Sequence, residues 1–394
     1  MAIVFEDRSV EGPATHVLVV GVGDYPHLPG GASDLKTAYD DGMKQLSSPP
    51  ASARAFTDWM IGRFSNPDRQ LATVELLLSE GDPAYMPPTR DGIQAEEAEA
   101  GPATVRAMSD AAVRWKARGD AEPGSLLIFY FCGHGISKGT DFAIVASDFG
   151  GDPARPLTGL VDVVRFLGGM QDCGSTDQCY FIDACRTSTE SLVEADNYHG
   201  DPLVQKLGTV TTGLAQCVYY STLGGATAHG VKGRPSFYTG ALLKALAGVG
   251  ASNEDGDWRV KTVRLLEALA HMMRNFVDPR TRKVQVPQSG SQVQFELHRI
   301  VGDPVLPFLI GFAGHAGSTP PPSVQSVVFR QGGEDIAGYP SAKPPLPRRC
   351  EWRPDVFETW LASGDTEVVL SRTGGATATE QHNLQPPGKT LKGR

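Results

Sequence analysis

At 394 residues, with 40% apolar and 21% charged side chains, the chain holds ordinary globular material, enough for one large domain and a smaller appendage. Its formal net charge of -9 excludes a sequence-independent grip on nucleic acid, which needs clustered Lys and Arg. No apolar run approaches a membrane span and the stretch Met1 to Gly12 is short and mixed, so neither a spanning helix nor a signal peptide is expected. The six cysteines (Cys132, Cys173, Cys179, Cys185, Cys217 and Cys350) have neither the density of a disulfide scaffold nor the CxxC spacing of a zinc site, and a reducing cytoplasm is the expected setting.

In chain order, apolar runs suited to buried strands alternate with helix-like segments, the pattern of a parallel sheet covered on both faces. His16 to Gly21 reads as the first strand, Ala32 to Leu46 as the first helical stretch and Ala72 to Ser79 as a second strand. The proline-bearing, acidic segment Glu80 to Gly101 reads as a surface insertion ahead of a helix over Ala103 to Arg118. Leu126 to Phe131, Phe142 to Ala146, Cys179 to Ile182 and Gln216 to Tyr220 supply further strands, with helices over Phe237 to Ala247 and Val260 to Phe276. The polar segment Thr187 to Gly213 is expected to be an exposed loop. After Val305 the character changes: a Gly/Pro-rich linker (311–323) leads into residues 324–394, with a strand-like run Ser326 to Phe329 and a helix-like one Asp355 to Leu361.

Two of these strands end in chemistry. Ser125 to Gly135 closes on Cys-Gly-His-Gly and Gln178 to Arg186 on Asp-Ala-Cys-Arg, placing His134 and Cys185 51 positions apart. Parallel strands deliver their carboxyl ends to one edge of a sheet, where open α/β folds place their ligands. A thiol attacks a carbonyl as thiolate, so it needs a neighbouring base, and an imidazole at that edge would serve before protonating the leaving amine. Gly133 would permit a sharp exit from the strand. Gly135 would leave its N–H clear to form, with the N–H of Cys185, an oxyanion hole. Either residue alone reads as a turn or a core thiol; the pair reads as a cysteine-nucleophile site. Gly21-Val22-Gly23 lacks the third glycine of a dinucleotide fingerprint, since Pro26 stands there.

The stretch Asp183-Ala184-Cys185-Arg186-Thr187 resembles the caspase signature Gln-Ala-Cys-[Arg/Gln/Gly]-Gly, whose histidine lies about 50 residues upstream. Tyr220-Ser221-Thr222-Leu223-Gly224-Gly225 resembles the Tyr-Ser-Thr-x-Pro-Gly segment that lines a caspase substrate groove, and Ser236-Phe237 resembles the segment after it. Over residues 14–300 the chain is thus similar to the caspase, metacaspase and paracaspase superfamily. The resemblance implies a three-layer α/β/α domain with a mostly parallel central sheet of about six strands (residues 1–310) and a small C-terminal extension. It also implies a cysteine endopeptidase with His134 and Cys185 as its dyad.

One departure carries specificity. Where caspases have glutamine two residues before the nucleophile this chain has Asp183, and metacaspases, which cut after Arg or Lys, have an acidic residue there and a second one early in the fold. Ser33-Asp34 stands at the comparable early place, with a helix N-cap as the alternative role for Asp34. The resemblance therefore implies an S1 pocket of Asp34 and Asp183, with Cys132, Ser221 and Thr222 around it, and protein or peptide substrates with Arg, then Lys, at P1. No metal is expected to be required: calcium serves many metacaspases, but 136–140 lacks their acidic run, and Asp40, Asp41, Asp141, Asp148 and Asp152 are only scattered candidates. His229 reads as an exposed loop residue. Family habit implies a latent enzyme cut at a basic residue (Lys206, Arg155, Arg165, Lys232 or Arg234) by itself, by an upstream protease or through a regulator, in a prokaryotic defence or death pathway. Neither nucleic acid nor membrane is an expected partner. A silent caspase-fold scaffold and a nucleotide-binding α/β domain are the competing readings.

Overall fold

Runs of Val, Leu, Ile and Phe without alternation form the centre of the fold. They are buried on both faces, as expected of strands in a helix-covered parallel sheet. The computed structural model describes residues 2–90, 92–93, 97–138, 141–185, 200–222, 232–276, 285–291, 293–312, 319–340, 347–353 and 356–392. These fall into two compact units, one with Met1–Leu243 and the described residues 285–299, the other with Lys244–Met272 and the described residues from Ile300 on.

The central sheet of the first unit has eight strands among the described residues: β1 (Ile3–Glu6), β2 (Thr15–Val22), β3 (Leu71–Ser79), β4 (Gly101–Pro102), β5 (Leu126–Gly133), β6 (Asp177–Ala184), β7 (Ala215–Tyr220) and β8 (Gln288–Ser291). Its order is β1-β3-β2-β5-β6-β7-β8, with β4 beside β3. Six strands run parallel, and β1 and β8 close the ends antiparallel. The expected count of six thus corresponds to the parallel set. Phe142 to Ala146 does form a strand (Asp141–Val145), but in a separate antiparallel sheet with Gly135–Lys138 and Leu160–Asp162.

The two faces follow from the period of two along a strand. Phe129 and Tyr180, partners in β5 and β6, meet Trp115 of helix α2 (Val105–Ala121) and Phe166 of helix α3 (Val163–Gly169) on one side. Tyr130 and Phe181, one residue on, meet Phe56 of helix α1 (Ser48–Arg63) on the other. Helix α4 (Phe237–Lys244) joins that second face, where the Thr239 hydroxyl meets the Tyr130 phenol at 2.5 Å. Trp115 is fully buried and donates its indole N–H to the His16 carbonyl, so truncating it to Ala costs about 3–5 kcal/mol.

The helix expected over Ala32 to Leu46 is absent, and the first helix starts at Ser48, with Pro49 and Pro50 in its first turn, where missing N–H groups cost nothing. Positive φ at Gly30, Asp41 and Gly42 breaks any helical path through the earlier segment, despite its helical composition. Gly21 and Gly23 are explained by packing: a Cβ on Gly21 would lie 2.7 Å from that of Ala53, and one on Gly23 would lie 2.6 Å from the Leu46 carbonyl.

The second unit carries two four-stranded sheets. Val305–Gly311 lies between Val356–Ala362 and Lys389–Leu391, with Cys350–Arg353 outermost; Glu334–Tyr339, Val324–Gln331, Gly364–Arg372 and Thr377–Leu384 form the other. Phe308 of the first sheet packs on Phe329 of the second at 5.2 Å. Of Asp355 to Leu361, expected to be helical, the described residues from Val356 on are strand: Val356, Phe357, Thr359 and Trp360 suit a pleated surface, and pairing with Val305–Gly311 overrides the local reading. Among the described residues no helix is long and apolar enough to cross a membrane.

Candidate active site

β5 and β6 run side by side with Cys132 opposite Asp183 and Gly133 opposite Ala184, so the next residues on the two strands are His134 and Cys185. The sheet edge brings the expected base and thiol to one level. Both flanking glycines are required by space and neither has positive φ. A Cβ on Gly133 would meet the Tyr25 hydroxyl at 2.9 Å, and one on Gly135 would meet the Cys185 carbonyl at 2.5 Å and the Ala184 Cβ at 2.9 Å. Gly135 therefore lies directly against the backbone of the thiol residue.

His134 is held at both ends. Its backbone N–H donates to the Tyr25 hydroxyl at 2.9 Å, and the Tyr25 and His134 rings lie 4.9 Å apart. Imidazole Nε2 lies 2.6 Å from the Lys44 carbonyl oxygen. A carbonyl only accepts, so Nε2 carries the proton and a neutral ring keeps its lone pair on Nδ1. Burial pushes the imidazole below its ordinary value, with the Lys44 carbonyl opposing in part. A neutral ring whose Nδ1 has no hydrogen-bond partner among the described residues can accept a proton.

Asp183 sits on the same face of the sheet as α1 and α4 and is 2% exposed. Its Oδ2 accepts from the hydroxyls of Ser236 and Thr239, the latter at 2.8 Å, and from the Cys132 thiol at 3.5 Å. Its Oδ1 is buried with no hydrogen-bond partner among the described residues. Burial raises the carboxyl above the usual carboxylate range, while the Ser236, Thr239, Cys132 and Ser221 side chains oppose that rise. A buried carboxylate oxygen without a donor is costly, and a cationic group entering beside it would relieve the cost.

Of the other expected residues, Cys132, Ser221 and Thr222 lie beside Asp183 and the Ala184 backbone, and the rest fall elsewhere. Asp34 is exposed in the irregular 24–47 segment; it caps no helix, and among the described residues no hydrogen bond or ion pair joins it to Asp183. Cys132 is buried against Asp183, which with burial itself holds its thiol well above the ordinary range. Ser221 and Thr222 are fully buried, and both hydroxyls donate to the Ala184 carbonyl, at 3.2 and 3.5 Å. They brace the backbone just before Cys185. Asp148 accepts from the Val105 N–H at the start of α2, and Asp152 pairs with Arg155. His229 and residues 187–199 of the Thr187 to Gly213 loop lie outside the described residues.

Sequence reasoning missed Tyr25, Lys44 and Gln45. Lys44 acts through a backbone carbonyl, which no side-chain pattern reveals; Gln45 lies in the stretch read as helix, and Tyr25 in the unassigned stretch between it and the first strand. Ser236 and Thr239 stood beside a recognised segment, but only the fold aims both hydroxyls at Asp183.

The sequence model of the Caspase domain family matches residues 89–298, slightly over half of the chain, and that span holds both His134 and Cys185. An uncharacterized protein of Sinorhizobium fredii, y4kE, is 29% identical over 222 residues, which is 55% of this chain; the chain spans 61% of that relative's length. The crystal structure of caspase-1 from Spodoptera frugiperda aligns over 73% of this chain and 89% of that one, at 10% identity and a TM-score of 0.39. With the family match spanning the two strands that end at the imidazole and the thiol, the chain belongs to the Caspase domain family of peptidases.

Proposed function

We propose that the protein is a cysteine endopeptidase that cuts after Arg, and less readily after Lys, with Cys185 as nucleophile and His134 as base. The observation that carries this reading is the fixed tautomer of His134: with Nε2–H committed to the Lys44 carbonyl, Nδ1 is the atom left to take a proton. The Cys185 thiol gives its proton to Nδ1, and the sulfur attacks the scissile carbonyl carbon. The N–H groups of Gly135 and Cys185 receive the oxyanion, the imidazolium returns the proton to the leaving amine, and water then hydrolyses the thioester.

The preference for Arg rests on the unpartnered Oδ1 of Asp183, to which a guanidinium supplies donors and charge together. Asp34 ranks second, as an exposed carboxylate on the loop above. Latency fits the exposure of Lys206, Arg155, Lys232 and Arg234, each open to a processing cut by the enzyme itself or by an upstream protease, whereas Arg165 lies within helix α3.

The test is hydrolysis of matched fluorogenic peptides ending in Arg, Lys, Asp or Ala by the wild type and Cys185→Ala, with and without chelator. Arg cleavage that is lost in the variant and indifferent to chelator is expected. Faster cleavage after Asp than after Arg overturns the pocket assignment, and activity in Cys185→Ala overturns the nucleophile.

A further inference from the structure

The two contacts that hold His134 share an origin. Lys44, whose carbonyl takes the Nε2 proton, precedes Gln45. The Gln45 side chain is joined to both backbone groups of Tyr25, whose hydroxyl takes the His134 N–H. Gln45 Oε1 accepts from the Tyr25 N–H at 2.8 Å, and Nε2 donates to the carbonyls of Tyr25 at 2.9 Å and Pro29 at 3.2 Å. Two carbonyls and one N–H fix which amide end faces which way, since only nitrogen can donate to both carbonyls. The amide therefore pairs with Tyr25 as a neighbouring strand would, in a segment that has no strand. One residue further, the Leu46 N–H donates to the Gly23 carbonyl at 2.9 Å, tying the same stretch to the end of β2. Both ends of His134 are thus referred to one side chain.

We propose that Gln45 is a positioning residue of this active site, holding the Lys44 carbonyl and the Tyr25 phenol in the arrangement that keeps the His134 imidazole in its Nε2–H tautomer. The inference rests on the reading of His134 as the base. The bonds of the Gln45 amide run to Tyr25 and Pro29. Its effect on rate passes through the orientation of the ring, where a displacement of the order of 1 Å can cost about a hundredfold.

The test uses the full chain and two variants. Gln45→Leu removes every bond of the amide at similar volume; Gln45→Glu keeps the acceptor for the Tyr25 N–H and loses both donors. Imidazole ¹⁵N shifts of His134, recorded in a Cys185→Ala background so that no turnover is needed, report the tautomer directly. The wild-type residue is expected to show a protonated Nε2 and a bare Nδ1, and Gln45→Leu a mixture. On Arg peptides kcat is expected to fall about 10- to 100-fold with KM within about twofold, and Gln45→Glu to lie between Gln45→Leu and wild type. Unchanged shifts and kcat in either folded variant overturn the proposal. If Gln45→Leu does not fold, Gln45→Glu alone decides by the same two readouts. Should His134→Ala retain full activity, the catalytic reading has failed, while the shifts still judge the positioning of the ring.

Discussion

The His134 imidazole and the Asp183 carboxyl lie two residues apart in register on neighbouring strands, and burial acts on them in opposite senses. At His134 it favours the neutral ring, which is the form a base must have, and a backbone carbonyl selects the useful tautomer. At Asp183 it favours the neutral acid, the form least able to hold a cation, and the hydroxyls of Ser236, Thr239 and Ser221 with the Cys132 thiol only partly oppose it. On the proposed reading, desolvation readies the first group in advance and leaves the second dependent on an arriving cation.

The comparison breaks most visibly at the ring. His134→Ala is expected to lower kcat/KM by about 10²- to 10⁴-fold, as for loss of a general base, with Tm close to wild type; a fall of less than tenfold would end the assignment. Asp183→Asn sharpens the contrast, because Asn keeps an acceptor for Ser236 and Thr239 without a charge to desolvate. Hydrolysis of Arg peptides is expected to drop about 10²- to 10³-fold, while thermal unfolding shows equal or higher stability. A large loss of Tm would instead make Asp183 a structural carboxylate.

The pH dependence separates the two groups by sign. An imidazole held below 6.5 in the folded protein is protonated first in the unfolded chain, so its contribution to stability is lost as pH falls below that value. His16 and His298, each buried and lowered to about 4, act the same way. Together they are expected to weaken the fold by of the order of 2 kcal/mol each at pH 5 relative to pH 7, as read by urea unfolding. Asp183, raised, contributes the opposite slope, so Asp183→Asn should steepen the decline at acid pH. The smallest effect is expected from Lys44→Ala: the bond to His134 comes from the main chain, and kcat should stay within about twofold. A tenfold loss would mean that the ammonium takes part.

Legibility tracked the kind of interaction. β2, β3, β5, β6 and β7 were readable because strands buried on both faces write themselves as continuous apolar runs, and His134 and Cys185 because each stands where such a run stops. Asp183 was legible as an acid, but its orphaned oxygen was not. Ser221 and Thr222 were read as groove residues, and the fold turns their hydroxyls onto the Ala184 carbonyl. The 24–47 segment defeated local reading because its path is set by side-chain donors, the Lys36 ammonium on three carbonyls and the Gln45 amide on Tyr25 and Pro29, which have no periodicity. Val356–Ala362 failed for the reverse reason: a partner strand 45 or more positions away decided its form.

The sheet order also sets the limits within which this protein can be trimmed for study. The family match begins at residue 89, yet β2 and β3 precede it, and β2 lies between β3 and β5. A fragment cut to the matched span would strip the neighbour from Leu126–Gly133, leaving a row of unpaired amides along the run Leu-Leu-Ile-Phe-Tyr-Phe-Cys-Gly. An apolar, uncharged edge of that kind templates pairing with further copies, so such a fragment should precipitate as intermolecular sheet, where the chain retaining Thr15–Val22 stays dispersed.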